Sequence, residues 1–227
     1  MRSDERSEMS IRCLRPISVC KMNVMLSRRT ILAFASLAVV AASARAQVIE
    51  YEANGQKYQT LTRNGLTVIF THMPNHIAGF GLIQVSVANG SGIYWTVRPE
   101  QFSYVREGVP LTALSANDVV NLLLAHGSHA DVVKLVTSYE STLYGIPHMR
   151  STNGYELRRQ NAAGSGMPQK LEAAAIASAI AFAQTRIAPG QSTDGALFIP
   201  LNHEIKTLAG GKLIAKVEGQ TFEFNPD

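Results

Sequence analysis

The side chains best suited to metal binding or acid–base chemistry in this 227-residue chain are six histidines, a few close carboxylates and one Ser-Thr-Asp run. His72-Met73-Pro74-Asn75-His76 has the i,i+4 spacing that would put two imidazoles on one helix face. Pro74 and the strand-like residues before it prevent that helix, so the segment reads as a turn. His126-Gly127-Ser128-His129 straddles a helix stop and a helix start. A histidine at a helix C-terminus is favoured by the macrodipole, which accounts for His126 without a ligand. His148 and His203 have no partner at a telling spacing. No metal site and no cofactor are expected.

Ser192-Thr193-Asp194-Gly195 has the residue types of a nucleophile with its acid, but no Gly-x-Ser-x-Gly elbow surrounds it. After Pro189-Gly190 these are turn residues leading into a strand. The pairs Glu50 with Glu52 and Glu100 with Glu107 read as solvent-facing strand and turn positions, and no buried carboxylate pair is indicated. Phosphate cradles are missing: there is no Walker A loop and no Gly-x-Gly-x-x-Gly. Gly164-Ser165-Gly166 precedes Met167-Pro168 and reads as a linker. Arg150, Tyr155, Arg158 and Arg159 form the one basic cluster downstream of residue 46. Its plain reading is a solvated helix face, and it is also a candidate partner surface. Trp95, the sole tryptophan, alternates with Tyr94 on a strand and is expected in the core or on the sheet.

Where these groups would work is written further upstream. Residues 25–47 read MLSRRTILAFASLAVVAASARAQ. Arg28 and Arg29 make a charged n-region, Ile31–Val40 an apolar h-region, and Ala44-Arg45-Ala46 a small–x–small cleavage site before Gln47. The apolar run Ile31–Ala44 is 14 residues, short of the roughly 20 that a spanning helix needs. Residues 1–46 are therefore predicted to be a signal peptide cleaved between Ala46 and Gln47. Residues 1–24 fit no export n-region of that length and read as an over-extended start, with translation beginning at Met25. Ser27-Arg28-Arg29-Thr30-Ile31-Leu32 resembles the twin-arginine export motif, with Ile31 in place of its Phe. An ordinary Sec signal with two arginines is the competing route.

Removing this leader changes the bulk numbers. It holds eight of the 21 basic and three of the 17 acidic residues, so 13 and 14 remain and the formal +4 becomes −1. A basic nucleic-acid footprint is then missing from the mature chain. Both cysteines, Cys13 and Cys20, leave with the leader, which excludes disulfides, thiolate nucleophiles and Cys-ligated zinc. The remaining 181 residues suffice for one domain whose stability comes from its core.

The elements that must position the candidates follow from periodicity. Val48–Tyr51 and Lys57–Thr62 flank Asn54-Gly55, and Asn64-Gly65 precedes Leu66–His72: two strong hairpin signals. Gly81–Ala88 alternates Leu82, Gln84, Ser86 with Ile83, Val85, Val87, which predicts a strand buried on one face. Strands at Ile93–Val97 and Phe102–Val105 follow. From Ser115 the period changes. SANDVVNLLL and SHADVVKLVT align without a gap, each opening on a Ser-x-x-Asp cap, and predict two amphipathic helices packed on one surface. A short helix is expected around Tyr155–Ala163, and one from Pro168 to about Ile187 with a stripe of Ile176, Ile180, Ala183 and Ile187. Strands resume at Gly195–Pro200, Lys212–Val217 and Thr221–Phe224.

One resemblance emerges from the strand segments. VSVANGSGIYWTVRPEQFSYV (85–105), together with IAPGQSTDGALFIPL (187–201), resembles bacterial exported immunoglobulin-like sandwich domains of uncharacterised function. The matching residues are Asn89, Pro99, Phe102, Pro189, Gly190, Gly195 and Phe198. The two segments make up about a fifth of the mature chain. It implies a fold and carries no catalytic residues with it. Helices from Ser115 to Ile187 depart from its pattern.

The expectation is a mixed, mainly β chain: residues 47–227 form one immunoglobulin-like antiparallel β-sandwich with a helical insertion at about 115–187. Its expected role is that of an exported, periplasmic or secreted, non-enzymatic envelope protein. The expected partner is another envelope protein, with no nucleic acid and no transmembrane helix after cleavage. The alternative is an exported hydrolase or metal-binding protein using scattered His, Asp and Ser residues.

Overall fold

Four two-residue turns fix the β register of this protein. Asn54-Gly55, Asn64-Gly65, Glu107-Gly108 and Glu218-Gly219 all hold both residues at positive φ, 43–52° for the first and 73–82° for the glycine. That is the type I′ geometry whose twist matches paired strands, and glycine adopts its second position without steric cost. The turns join β1 (Ile49–Ala53) to β2 (Gln56–Arg63), β2 to β3 (Leu66–His72), β6 (Phe102–Arg106) to β7 (Val109–Thr112), and β10 (Lys212–Val217) to β11 (Gln220–Glu223). The computed structural model describes residues 47–226 except 75, 76, 78, 127, 147–154, 164, 165, 167 and 202–204. The expected leader (1–46, with Arg28, Arg29 and Ala46), Arg150, His76, His148 and His203 lie outside the described residues.

With β4 (Phe80–Asn89), β5 (Trp95–Val97), β8 (Thr185–Ile187) and β9 (Ser192–Pro200), the strands form three antiparallel sheets. Their orders are β1-β2-β3-β4-β9, β11-β10-β6-β7 and the pair β5-β8. The described residues are thus mainly β, with four α-helices: α1 (Ala116–His126), α2 (His129–Leu143), α3 (Tyr155–Ala163) and α4 (Gln169–Ile180).

Two cores share the five-stranded sheet. On one face Leu66, Val68, Phe70, Ile83, Val85, Val87, Leu197 and Ile199 meet Phe102, Tyr104, Leu213, Ala215, Val217 and Phe222 of the four-stranded sheet. Phe70 stands edge-on to Phe224 at 4.8 Å between ring centroids. Each buried Phe of this layer contributes on the order of 2 kcal/mol. On the other face Phe80, Leu82, Ala196 and Phe198 meet Val119, Leu123, Val132, Leu135, Tyr139, Ile176, Ala177 and Ile180 from the helices. The architecture is therefore sheet, sheet, helix layer.

This corrects the expectation that Gly81–Ala88 buries one face. Leu82, Gln84 and Ser86 are as buried as Ile83, Val85 and Val87, because the helices cover the second face. Ser192–Asp194 likewise is not a turn. It opens the nine-residue strand β9, which pairs with β4 from Ala88↔Ser192 to Phe80↔Pro200.

The helical segment behaves as predicted at its start and departs at its end. Ser115 Oγ accepts from Asp118 N–H at 3.2 Å and bonds Asp118 Oδ2 at 2.7 Å, and Ser128 repeats both contacts with Asp131 at the same distances. The duplicated cap sequence thus forms the same cap twice. α1 and α2 both pack on the sheet, and α4, rich in alanine, lies against α1, α2 and α3. The last helix was expected to reach about Ile187 but ends at Ile180. There the chain is captured by β9: Phe182 N–H donates to Ala196 O at 2.9 Å, and Thr185–Ile187 pairs with Trp95–Val97 instead. Ala183 and Ile187 are therefore not part of a helix stripe.

The segment also leaves and returns at one place. Leu114 N–H donates to Phe198 O at 3.0 Å on entry, two residues along β9 from the carbonyl that receives Phe182 on exit. Phe182 then turns into the sandwich core, 5.5 Å from the Phe102 ring.

Gly195 is what lets that return happen. A Cβ there would lie 2.5 Å from the Phe182 Cα, a backbone atom that cannot swing aside. Gly195→Ala is expected to cost about 3 kcal/mol or more by this overpacking. Gly92→Ala, where nothing lies within 4 Å, is expected to stay within about 0.5 kcal/mol of the parent. Urea unfolding followed by Trp95 fluorescence measures both.

Candidate functional site

Side chains with chemical capacity collect where the five-stranded sheet meets α2. Register places Ser86 directly opposite Asp194 and Gln84 opposite Ala196 and Thr71, all pointing to the helical side. The Tyr139 hydroxyl, on α2, donates to Asp194 Oδ2. Tyr58 on β2 donates its hydroxyl to Thr142 O at 2.6 Å. The Tyr139 ring packs edge-on against Tyr155, 4.9 Å between centroids. A carboxylate held by a phenol is a pair that can pass a proton. Here Asp194 is 3 % exposed and Tyr139 not at all, so with the helices in place both are closed off from solvent. A crevice nearby, between α1 and the ends of β4 and β9, is lined by Ile77, Phe80, Leu114, Val119, Leu122, Leu123 and Phe198 and has no room for a water molecule.

Of the histidines, the structure describes the side-chain surroundings of His72. His72 ends β3 with its ring edge-on to Phe70 and Tyr104, at 5.8 and 5.4 Å. His126 closes α1 and His129 opens α2. Among the described residues no three His, Cys, Asp or Glu side chains are grouped to hold a metal ion, and no helix is long and apolar enough to cross a membrane. The pairs Glu50 with Glu52 and Glu100 with Glu107 are exposed, as read from the sequence. Comparison with protein-family models, curated proteins and solved structures finds no match for this chain.

The basic cluster is brought together by α3, with Arg150 outside the described residues. Arg158 donates to Ala179 O at 2.9 Å, occupying one of the carbonyls left open at the C-terminus of α4. Arg159 pairs with Glu140 at 3.0 Å, and the Tyr155 hydroxyl donates to the same carboxylate at 3.2 Å. Burial first, and then the Glu140 charge, raise the Tyr155 phenol well above its ordinary range. These contacts staple α3 to α2 and α4. Tyr155 itself is buried.

Sequence reasoning missed a second arrangement, built on Asn89. This buried side chain donates through Nδ2 to Ile93 O at 2.7 Å and Ile187 O at 3.1 Å. Its Oδ1 accepts from Ser91 N–H at 3.0 Å and from Ser91 Oγ at 2.7 Å. Its backbone N–H donates to Gln191 O, and its carbonyl accepts from Gly190 N–H. Ser91 Oγ in turn accepts from the Trp95 indole at 2.8 Å. Asn89 therefore ties the 90–94 loop to the 187–191 turn. Atop this loop Ile93 and Tyr94 stand 58 % and 55 % exposed, and the Arg186 guanidinium carbon lies over the Tyr94 ring, 4.4 Å from its centroid. The signal available beforehand was the Asn-Gly-Ser-Gly turn. The position of Arg186 was hidden because β8 was read as helix.

Asn89→Asp replaces two N–H donors with carboxylate oxygens facing two carbonyls in a buried site. A loss of about 3 kcal/mol is expected in urea unfolding, with Asn89→Ala less damaging by about 1 kcal/mol. A second outcome concerns alkaline pH. Burial, and then repulsion from the charge that the neighbouring Tyr51 phenol also acquires, push the Tyr58 phenol up to about 12 from 10.0. The unfolded phenol gives up its proton first, so stability is full below pH 10 and falls as pH rises from there toward 12. Tyr58→Phe is expected to flatten that decline in a pH series of urea midpoints, while losing the hydrogen bond to Thr142 at neutral pH.

Proposed function

We propose that this chain is an exported, non-enzymatic binding component of the cell envelope, acting through an immunoglobulin-like sandwich and its helical insertion on another envelope protein. The export part rests on the charged, apolar and small-residue order of residues 25–47. The sandwich part is supported by two facing antiparallel sheets and by connections that cross between them after β4 and after β9. The likeness is one of architecture. An immunoglobulin chain changes sheets after two strands, whereas here β1 to β4 remain a meander in one sheet.

The observation that best supports binding over catalysis is a division of labour between inside and outside. The groups able to do chemistry, Asp194 with Tyr139, are sealed beneath the helices. What faces solvent is a rigidly held Ile93–Tyr94–Arg186 platform. Tyrosine and arginine dominate binding energy where the loop presenting them is already ordered, because little conformational freedom is then lost on contact. The guanidinium, lying over that ring, keeps its N–H donors for an acceptor on the partner. The insertion adds exposed Val133 and Tyr144 on the outer side of α2 and just beyond it. Arg158 and Arg159 are engaged within the helical layer, so the contact surface is assigned to the platform.

The test is photo-crosslinking in the periplasm, with a benzoyl-phenylalanine at position 93. One discrete protein adduct is expected. Arg186→Ala and Tyr94→Ala are each expected to lower its yield at least tenfold, the change for a hot-spot residue, with the urea midpoint nearly unmoved. The intact mass of the purified protein is expected to begin at Gln47. An adduct indifferent to both variants, or a mass retaining residues before Gln47, contradicts the reading.

A further inference from the structure

The helical layer is a body with its own internal bonds. α4 touches all three other helices, Arg158 and Arg159 pin α3, and α1 and α2 carry their own Ser-Asp caps. Its two connections to the sheets lie side by side, at Leu114 on Phe198 O and Phe182 on Ala196 O. A unit joined at neighbouring points can come away and unfold without dragging on the strands.

The interface beneath it is also imperfectly matched. At its apolar end Phe80, Leu82 and Phe198 are packed by α1 and α4. At its polar end Tyr139 bonds Asp194 and Tyr58 bonds Thr142. Both amide atoms of Gln84 and the hydroxyl of Ser86, all buried, have no hydrogen-bond partner among the described residues. The Ser138 hydroxyl on α2 is in the same condition. Closing the layer strips water from these groups without replacing it, a cost that opening returns. The sandwich core, by contrast, is joined by a continuous apolar cluster, and the Tyr104 hydroxyl and Gln59 amide beside it are hydrogen-bonded.

We propose that the helical layer detaches and unfolds as one cooperative unit between Leu114 and Phe182, and so uncovers the Gln84–Ser86–Asp194 face while the sandwich stays folded. This is a local opening of lower free energy than global unfolding, of the kind that separates a protein into cooperative units. The open state is sparsely populated, since opening also exposes the apolar end of the face.

Amide hydrogen exchange on the purified protein tests it. Amides in α1, α2 and α4 are expected to share one protection factor, about a hundredfold below that of β3, β6 and β10. Val217→Ala, in the sandwich core, is expected to lower strand protection about tenfold and leave the helices unmoved. Gln84→Leu removes the unmatched amide and is expected to raise helix protection about three- to tenfold. The proposal is overturned by a single protection factor that Val217→Ala shifts everywhere, or by helices exchanging at separate levels. It is equally overturned if Gln84→Leu fails to raise helix protection.

Discussion

The antiparallel pairing of β4 with β9, nine residue pairs long, is the constraint on which both cores depend, because each strand is covered on its two faces by different layers. Val85 and Leu197 belong to the sandwich core, while Leu82 and Phe198 belong to the helical one. A slip of one residue would exchange these sets and bury Asp194 among Phe102 and Phe222, a position with no donor to meet it. The register is held at one end by Asn89, whose backbone bonds reach Gln191 and Gly190. It is secured along the strand by Phe182, which fits only over a glycine at 195.

What the sequence disclosed follows from how local each signal is. Asn54-Gly55 and Asn64-Gly65 state their turn type in two residues, and both formed type I′ hairpins. Ser115 and Ser128 announced their helices through caps four residues long. Glu107-Gly108 made the same turn as the Asn-Gly pairs, but glutamate carries no such preference and strand β7 passed unnoticed. The larger errors concern partners remote in the chain. Leu82-x-Gln84-x-Ser86 has the pattern of a half-solvated strand, and only Tyr139 and the rest of α2 make that face interior. The helix ending at Ile180 has no glycine to stop it; a carbonyl on β9 does so.

The same remoteness governs the candidate sites. Asp194 looked like a turn residue, since its phenol partner is 55 positions away. Arg186 looked helical, since the strand that aligns it beside Tyr94 lies 90 residues earlier in the chain. The interior polar groups serve the cohesion between layers, and the exposed aromatic–guanidinium pair is where another molecule is met. Asn89 joins the two tasks, because the amide that closes the end of β4 also stiffens the loop on which Tyr94 stands.

The neighbouring exits of the helical segment bear on how the chain finds its fold. β7 ends at Thr112 and β9 begins at Ser192, with 79 residues between them. As a flexible loop that stretch would carry a closure penalty of about 4 kcal/mol, against about 2 kcal/mol for a ten-residue one. Helices that collapse early, with Leu114 and Phe182 already adjacent, shorten the effective loop before any long-range strand pairing is attempted. The three long-range pairings left after the four type I′ hairpins, β4 with β9, β5 with β8 and β6 with β10, all enclose this segment and would each close over a shorter span.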